Sequence, residues 1–315
     1  PQSNVASASL DLLTGDEVIT AFEHETFASF PKGNYTASSP VISYWNTFFQ
    51  GLRQCYLFLE NVDKVPDLTE SVKADYIAQV KFLIAYYHYQ LARCYGPIIL
   101  IKELPNVNAS QAEYLPRTPY DECVEWICNL LDEAAASLPA IRTNKEDYGL
   151  ATSVGAKAVK AKMLLYAASP LWNGSFPHPE WKNKNYETPG YGNELVSTTY
   201  NPEKWTRALT ACQEALTAAK AAGYQLFDIE TANRKADRDN LSLPFIPGRE
   251  EDTEENREFK ERVRMFQYLI AANEGDNNKE IIWGQRISID GNNGSGEATS
   301  WRLPNKVVKR SNGIY

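Results

Sequence analysis

A chain of 315 residues, 43% of them hydrophobic, carries enough apolar side chain to bury a large core. Its net charge of -8, with Lys and Arg scattered rather than clustered, excludes a nucleic-acid-binding role built on phosphate neutralisation. No run approaches the roughly 20 apolar residues of a membrane span, and the opening PQSNVASASLDLL lacks the basic and apolar regions of an export signal.

Residues 1–40 are rich in Ser, Thr, Asn and Gly, and predict a short helix near Asp16 to Phe22 followed by the loop FPKGNYTASSP. A strong helix is predicted from Val41 to Leu59, with Val41, Trp45, Phe48, Leu52, Cys55 or Tyr56 and Leu59 on one face. After a short link comes the most apolar stretch, YIAQVKFLIAYYHYQLARCYGPIILIKELP. There Ile77, Val80, Ile84, Tyr87, Leu91 and Cys94 form one stripe, and Phe82, Tyr86 and Tyr89 form a second beside it. A helix with two stripes has little solvent face and must sit between neighbours. Tyr95-Gly96-Pro97 stops it, and the short link before it predicts an antiparallel hairpin with the preceding helix.

Thr118 is the expected N-cap of the next helix, with Pro119 in its first position. Val124, Ile127, Leu131, Ala134 and Leu138 form its core face. Thr152 then caps SVGAKAVKAKMLLYAAS, whose alanines and single glycine permit close backbone approach. A long loop over 170–200 leads to a helix opening at Asn201-Pro202-Glu203 and closing at Gly223, with Trp205, Leu209, Cys212, Leu216 and Ala219 as its apolar face. Beyond it, YQLFDIE and EIIWGQRISI read as short strands, 230–258 as a solvated charged loop, and Arg257 to Ala272 as a last helix. The predicted fold class is mostly α: tetratricopeptide-like helical pairs form a superhelical scaffold with long irregular loops and a few short strands.

Catalytic patterns are missing. There is no phosphate-cradling glycine loop, no HExxH and no GxSxG elbow, and His24, His88 and His178 are far apart. Neither a metal nor a cofactor is expected. Asp290-Gly-Asn292-Asn-Gly294 resembles the start of a calcium loop but lacks the third oxygen side chain and the distal Glu. His88, inside the aromatic helix, reads as a hydrogen-bonded core residue, and the five cysteines read as small core residues rather than a disulfide framework.

Aromatic residues make up 12% of the chain, and many fall in polar loops. The loop PLWNGSFPHPEWKNKNYETPGYGNE carries Trp172, Phe176, Trp181, Tyr186 and Tyr191 among asparagines. A sugar suits such a surface, because its apolar C–H face stacks on a ring while amides and guanidinium groups bridge its hydroxyls. Tyr35 with Asn34, and Trp301 with Arg302, repeat the combination. The alternative is that these rings pin loops to helices, which is the favoured reading for Trp172 at a helix end.

The order WNTFFQGLRQCYLFLENV, AQVKFLIAYYHYQLARCYGPIILI, RTPYDECVEWICNLLDEAAASLP, GLATSVGAKAVKAKMLLYAASPLWNG, NPEKWTRALTACQEAL and NNKEIIWGQ resembles the SusD/RagB family, the surface glycan-binding lipoproteins of the Bacteroidetes outer membrane. The resemblance runs from about Trp45 to Trp283, and LYAASPLWNG and the helix ending in YGPI are its most specific parts. It implies capture of oligosaccharides or other nutrients without catalysis, and their delivery to a SusC-like TonB-dependent transporter. It also implies an outer-membrane lipid anchor on a cysteine upstream of Pro1, and a family fold that continues past Tyr315. On this basis residues 1–315 are expected to form a single SusD-like domain, with a helical scaffold over about 41–223 and a loop-rich region over about 224–315. The expected ligand-binding residues are Trp301 with Arg302, Tyr35 with Asn34, and Trp181 and Tyr191. The competing functions are a helical polysaccharide-degrading enzyme and a peptide-binding helical-repeat scaffold.

Overall fold

The computed structural model describes residues 29–36, 38–41, 43–106, 108–110, 113–144, 147, 149–184, 189–238, 242–271, 278–284, 309–310 and 313–314. The chain divides into two compact units, Pro1–Gly51 and Leu52–Tyr315. In the first unit, a single helical turn at Ser29–Lys32 precedes a tight turn closed by paired backbone hydrogen bonds between Thr36 and Ser39, each 3.1 Å. The helix predicted near Asp16 lies outside the described residues.

Among the described residues, seven longer helices follow: α1 (Trp45–Asn61), α2 (Glu70–Tyr95), α3 (Tyr120–Ser137), α4 (Ser153–Ala168), α5 (Glu203–Ala221), α6 (Ile229–Arg238) and α7 (Glu254–Ala271). The helical class is as the sequence predicts. The core of the second unit is a serial stack in which α2 packs on α3, α3 on α4 and α4 on α5. From Ile77 to Leu100 no residue is exposed, so α2 is as enclosed as its two apolar stripes require. The most buried positions are Ala78, Phe82, Ala85, Tyr89 and Ala92 together with Ile84, His88 and Leu91. On α3 the whole predicted face is buried.

The backbones of α1 and α2 approach less closely than those of α2 and α3. Instead α1 turns Leu52, Cys55 and Tyr56 inward, and Tyr56 Oη donates a 2.6 Å hydrogen bond to Ile101 O in the extended segment after α2. Bulky side chains keep backbones apart.

Small residues do the reverse in α4 and α5. Helix α4 buries Gly155, Ala156, Ala161, Ala167 and Ala168, and α5 answers with Ala208, Ala211 and Ala219. This close contact corrects the apolar face predicted for α5. Leu209 is 59% exposed and Leu216 56%, and Trp205 also lies outward. The space beside α4 admits only alanines, so the larger side chains take the outer face.

Thr152 caps α4 as predicted, its Oγ1 accepting the Gly155 N–H at 3.0 Å. Pro119, not Thr118, holds the cap position of α3. Thr118 is engaged elsewhere, its N–H donating to Ile98 O at 2.7 Å. Neither strand predicted after Gly223 forms over the described residues. Gln225 N–H reaches Lys279 O, but Ile229 already begins α6. Residues 278–284 follow turns because Trp283 is drawn inward: its ring meets Phe82 and Tyr86 edge-on at 4.9 Å each and its Nε1 donates to Gly149 O. Gly155 makes room for it, since a Cβ there would lie 3.3 Å from Trp283 Cβ. The charged stretch expected to be loop contains α6 and the start of α7, which close a small core of Phe227, Ala232, Met265, Tyr268 and Leu269. The described strands are Lys309–Arg310 and Gly313–Ile314, paired antiparallel.

All five cysteines are free thiols. Burial pushes Cys55 up to about 11 and Cys123 and Cys128 to about 12, so they are inert at neutral pH. His88 is fully buried, with Nδ1 donating to Ile84 O at 2.8 Å and Nε2 accepting the Ile101 N–H at 3.1 Å. These bonds require the neutral ring, and burial lowers its pKa to about 4.

Three outcomes are expected. Ala211→Leu should destabilise by about 1–3 kcal/mol in urea unfolding through overpacking against α4, whereas Leu209→Ala should change stability by under about 0.5 kcal/mol. Gly96 has φ +68, and a Cβ there would lie 2.6 Å from Trp172 Cη2, so Gly96→Ala should cost at least about 2 kcal/mol. Because the folded-state pKa of His88 lies below its ordinary 6.5, the unfolded chain takes up the proton first as pH falls. That stability is intact above pH 6.5 and is lost down to about pH 4, by about 3 kcal/mol. Thermal melts across this window should fall more steeply for the wild type than for His88→Gln.

Candidate ligand-binding surface

The loop joining α4 to α5 is held at its base by a side chain acting as backbone. Asn173 is buried, its Nδ2 donating to Asn201 O at 3.0 Å and its Oδ1 accepting the Asn201 N–H at 2.7 Å. Gly174 lets the two ends of the loop touch, since a Cβ there would lie 2.7 Å from Tyr200 N. Trp172 sits between this base and the helices. It stacks on Tyr120 at 4.0 Å and 12°, and its ring edge fills the space over Gly96.

A ladder of rings continues outward. Phe176 stacks on Trp172 at 5.0 Å, Trp181 stacks on Phe176 at 5.5 Å, and the Arg117 guanidinium covers Trp181 at 5.7 Å. Arg117 also donates to Pro97 O and to Tyr95 O, anchoring the ladder to the C-terminus of α2, where unpaired carbonyls favour a cation. Trp172, Phe176 and Trp181 therefore pin the loop. The favoured expectation for Trp172 holds, and Trp181, a predicted ligand residue, is half-buried in the same stack.

Past Trp181 the chain makes a hairpin-like excursion. Leu195 N–H donates to Trp181 O at 2.9 Å, Asn183 N–H to Asn193 O at 3.1 Å and Gly192 N–H to Asn183 O at 2.8 Å. Lys182 pairs with Glu194 at 3.2 Å. Asn183 Nδ2 donates to Arg117 O at 2.9 Å, and Tyr120 N–H donates to Leu195 O, so the excursion is tied to the start of α3. Tyr191 lies beside this pairing, between Gly190 and Gly192, both with positive φ, and is 62% exposed. Nearby, Gly190 abuts Pro116, a Cβ there falling 3.2 Å from the proline ring.

Of the other predicted residues, Asn34 and half-exposed Tyr35 occupy the turn after Gly33 in the first unit. Asn34 N–H donates to Ser29 O and Tyr35 N–H to Gly33 O. Trp301 and Arg302 lie outside the described residues. Sequence reasoning passed over Tyr114, 55% exposed, and Leu115, 52% exposed, which lead into Pro116. The available signal was a tyrosine beside a leucine in a polar connection between helices.

Among the described residues, no three His, Cys, Asp or Glu side chains converge on a metal site, and no helix is long and apolar enough to cross a membrane.

A profile of SusD-like proteins, described as starch-binding and associating with the outer membrane, matches residues 16–165. The solved structure of BT4246 is 45% identical, with a TM-score of 0.75 over 84% of this chain and 44% of its own. A selenomethionine form of BT4246 is 48% identical, with a TM-score of 0.67 over 78% and 40%. A SusD-like protein from Bacteroides fragilis is 23% identical, with a TM-score of 0.47 over 69% and 36%. No curated protein matches. The chain thus spans under half the length of these solved proteins. It belongs to the SusD/RagB family.

Proposed function

We propose that this protein is a cell-surface glycan-binding protein of the outer membrane. It captures oligosaccharides through exposed rings and hands them, chemically unaltered, to a SusC-like TonB-dependent transporter. The observation that carries the reading is Tyr191, an exposed ring held beside the hydrogen bond from Gly192 N–H to Asn183 O. An aromatic side chain in that position loses contact with water only by receiving a partner, and the C–H face of a sugar fits it. The description of the matching profile as starch-binding supports the same class of ligand. A lipid anchor upstream of Pro1 would hold the protein at the surface, as the family resemblance implies. Tyr35 with Asn34, and Trp301 with Arg302, are proposed as further contacts.

Calorimetry against a glycan panel tests this reading. Binding of micromolar order or weaker is expected for a few stacking contacts on an open surface. Tyr191→Ala should weaken it by about tenfold, or about 1.4 kcal/mol, and Tyr35→Ala and Trp301→Ala report on the other candidates. Depletion of the glycan with new reducing ends would replace the receptor with an enzyme. Absence of binding to every glycan would remove the reading.

A further inference from the structure

The buried Asn173 is followed by Gly174, and an asparagine before glycine is chemically labile. Glycine has no Cβ to hinder its own nitrogen, so that nitrogen can close a ring on the preceding side-chain amide. In that reaction the Gly174 N–Cγ bond forms, the Cγ–Nδ2 bond breaks, and the Gly174 amide proton leaves with Nδ2 as ammonia. Water then opens the ring at either carbonyl and leaves aspartate or isoaspartate at position 173.

Two features of the loop base oppose ring closure. Asn173 is 1% exposed and its amide is engaged at both atoms: Nδ2 donates to Asn201 O at 3.0 Å and to Ala168 O at 3.4 Å, while Oδ1 accepts the Asn201 N–H at 2.7 Å. The backbone also points the wrong way. At ψ 63 the Gly174 nitrogen lies anti to the Asn173 Cβ across the Cα–C bond, so closure needs roughly a half-turn about that bond. Such a turn displaces the chain from Gly174 onward. Gly174 is set against the backbone of Tyr200, where a Cβ would fall 2.7 Å from the nitrogen, and Phe176 is stacked on Trp172 at 5.0 Å. The ring therefore cannot close until the Asn201 bonds and the Phe176 stack let go together.

We propose that Asn173-Gly174 is a deamidation site gated by the 170–200 loop: the closed loop protects it, and an opening that lets it react leaves the loop unable to refasten. The product makes the step one-way. The carbonyl oxygens of Asn201 and Ala168 both face Nδ2, and a carboxylate has no proton for either of them. Aspartate would set a buried negative charge against two acceptors, and isoaspartate would route the backbone through an extra methylene. Either way the loop that carries Trp181 and Tyr191 loses the fastening at its base.

Peptide mapping by mass spectrometry tests the gate. The whole protein is held in mildly alkaline buffer with and without urea, and conversion of Asn173 is followed over time. Folded protein should convert at least about tenfold more slowly than unfolded, because the reaction passes through a rare open state. Phe176→Ala, which loosens the ring ladder without touching Asn173, should raise the folded rate at least about threefold, whereas Ala211→Leu, which weakens the helical stack instead, should leave it within about twofold of wild type. Equal rates with and without urea, no change in Phe176→Ala, or an equal rise in Ala211→Leu would each overturn the gate. The product is read by trypsin at Lys182 and Lys184, which should cut Asn173→Asp faster than wild type. If that variant does not fold, the converted fraction of aged wild-type protein gives the same reading. A converted loop as resistant as the original overturns the one-way release.

Discussion

The contact between Gly96 and Trp172 governs the architecture. Gly96 has the left-handed φ that ends α2, and it lacks the Cβ that would collide with the Trp172 ring 2.6 Å away. A single absent methyl group thus serves two purposes. It turns the chain from α2 into the buried segment Pro97–Ile101, and it opens the seat for the tryptophan that begins the ring ladder of the 170–200 loop. From that seat the loop is determined step by step: Tyr120 beneath, Phe176 and Trp181 above, and Arg117 closing the stack.

The same rule of size organises the helices. Where alanines are buried, as between α4 and α5, backbones approach closely and larger side chains are left outside. Where aromatic residues face inward, as on α2, they take a partner from far along the chain, and Trp283 fills the gap above Phe82 and Tyr86 while Gly155 yields space. Two buried polar side chains act as connectors between stretches of backbone. His88 joins α2 to the segment after it through two backbone bonds, and Asn173 joins the two ends of the loop in the same manner.

Much of this was legible from residue types and spacing. The enclosed character of α2, the core face of α3, the Thr152 cap, the buried thiols and the structural role of His88 follow from periodicity and elementary chemistry. The orientation of α5 was not legible, because hydrophobic spacing identifies an apolar stripe but not whether a neighbour has room for it. Over the described residues the strands expected at YQLFDIE and EIIWGQRISI do not form, for a related reason: a short apolar run states a wish for burial, and Trp283 satisfies it from a turn. In the 170–200 loop, residue types alone could not distinguish rings stacked on each other from Tyr191, which stays exposed.

Arg117 gives the loop a property that no single ring could. Its guanidinium donates to the carbonyls of Tyr95, the last residue of α2, and of Pro97 and covers Trp181, while its own carbonyl holds Asn183. The ring at the outer end of the ladder is therefore tied to the end of α2 through one side chain. Removing that side chain would uncover Trp181 and strip the Tyr95 and Pro97 carbonyls of this donor at once.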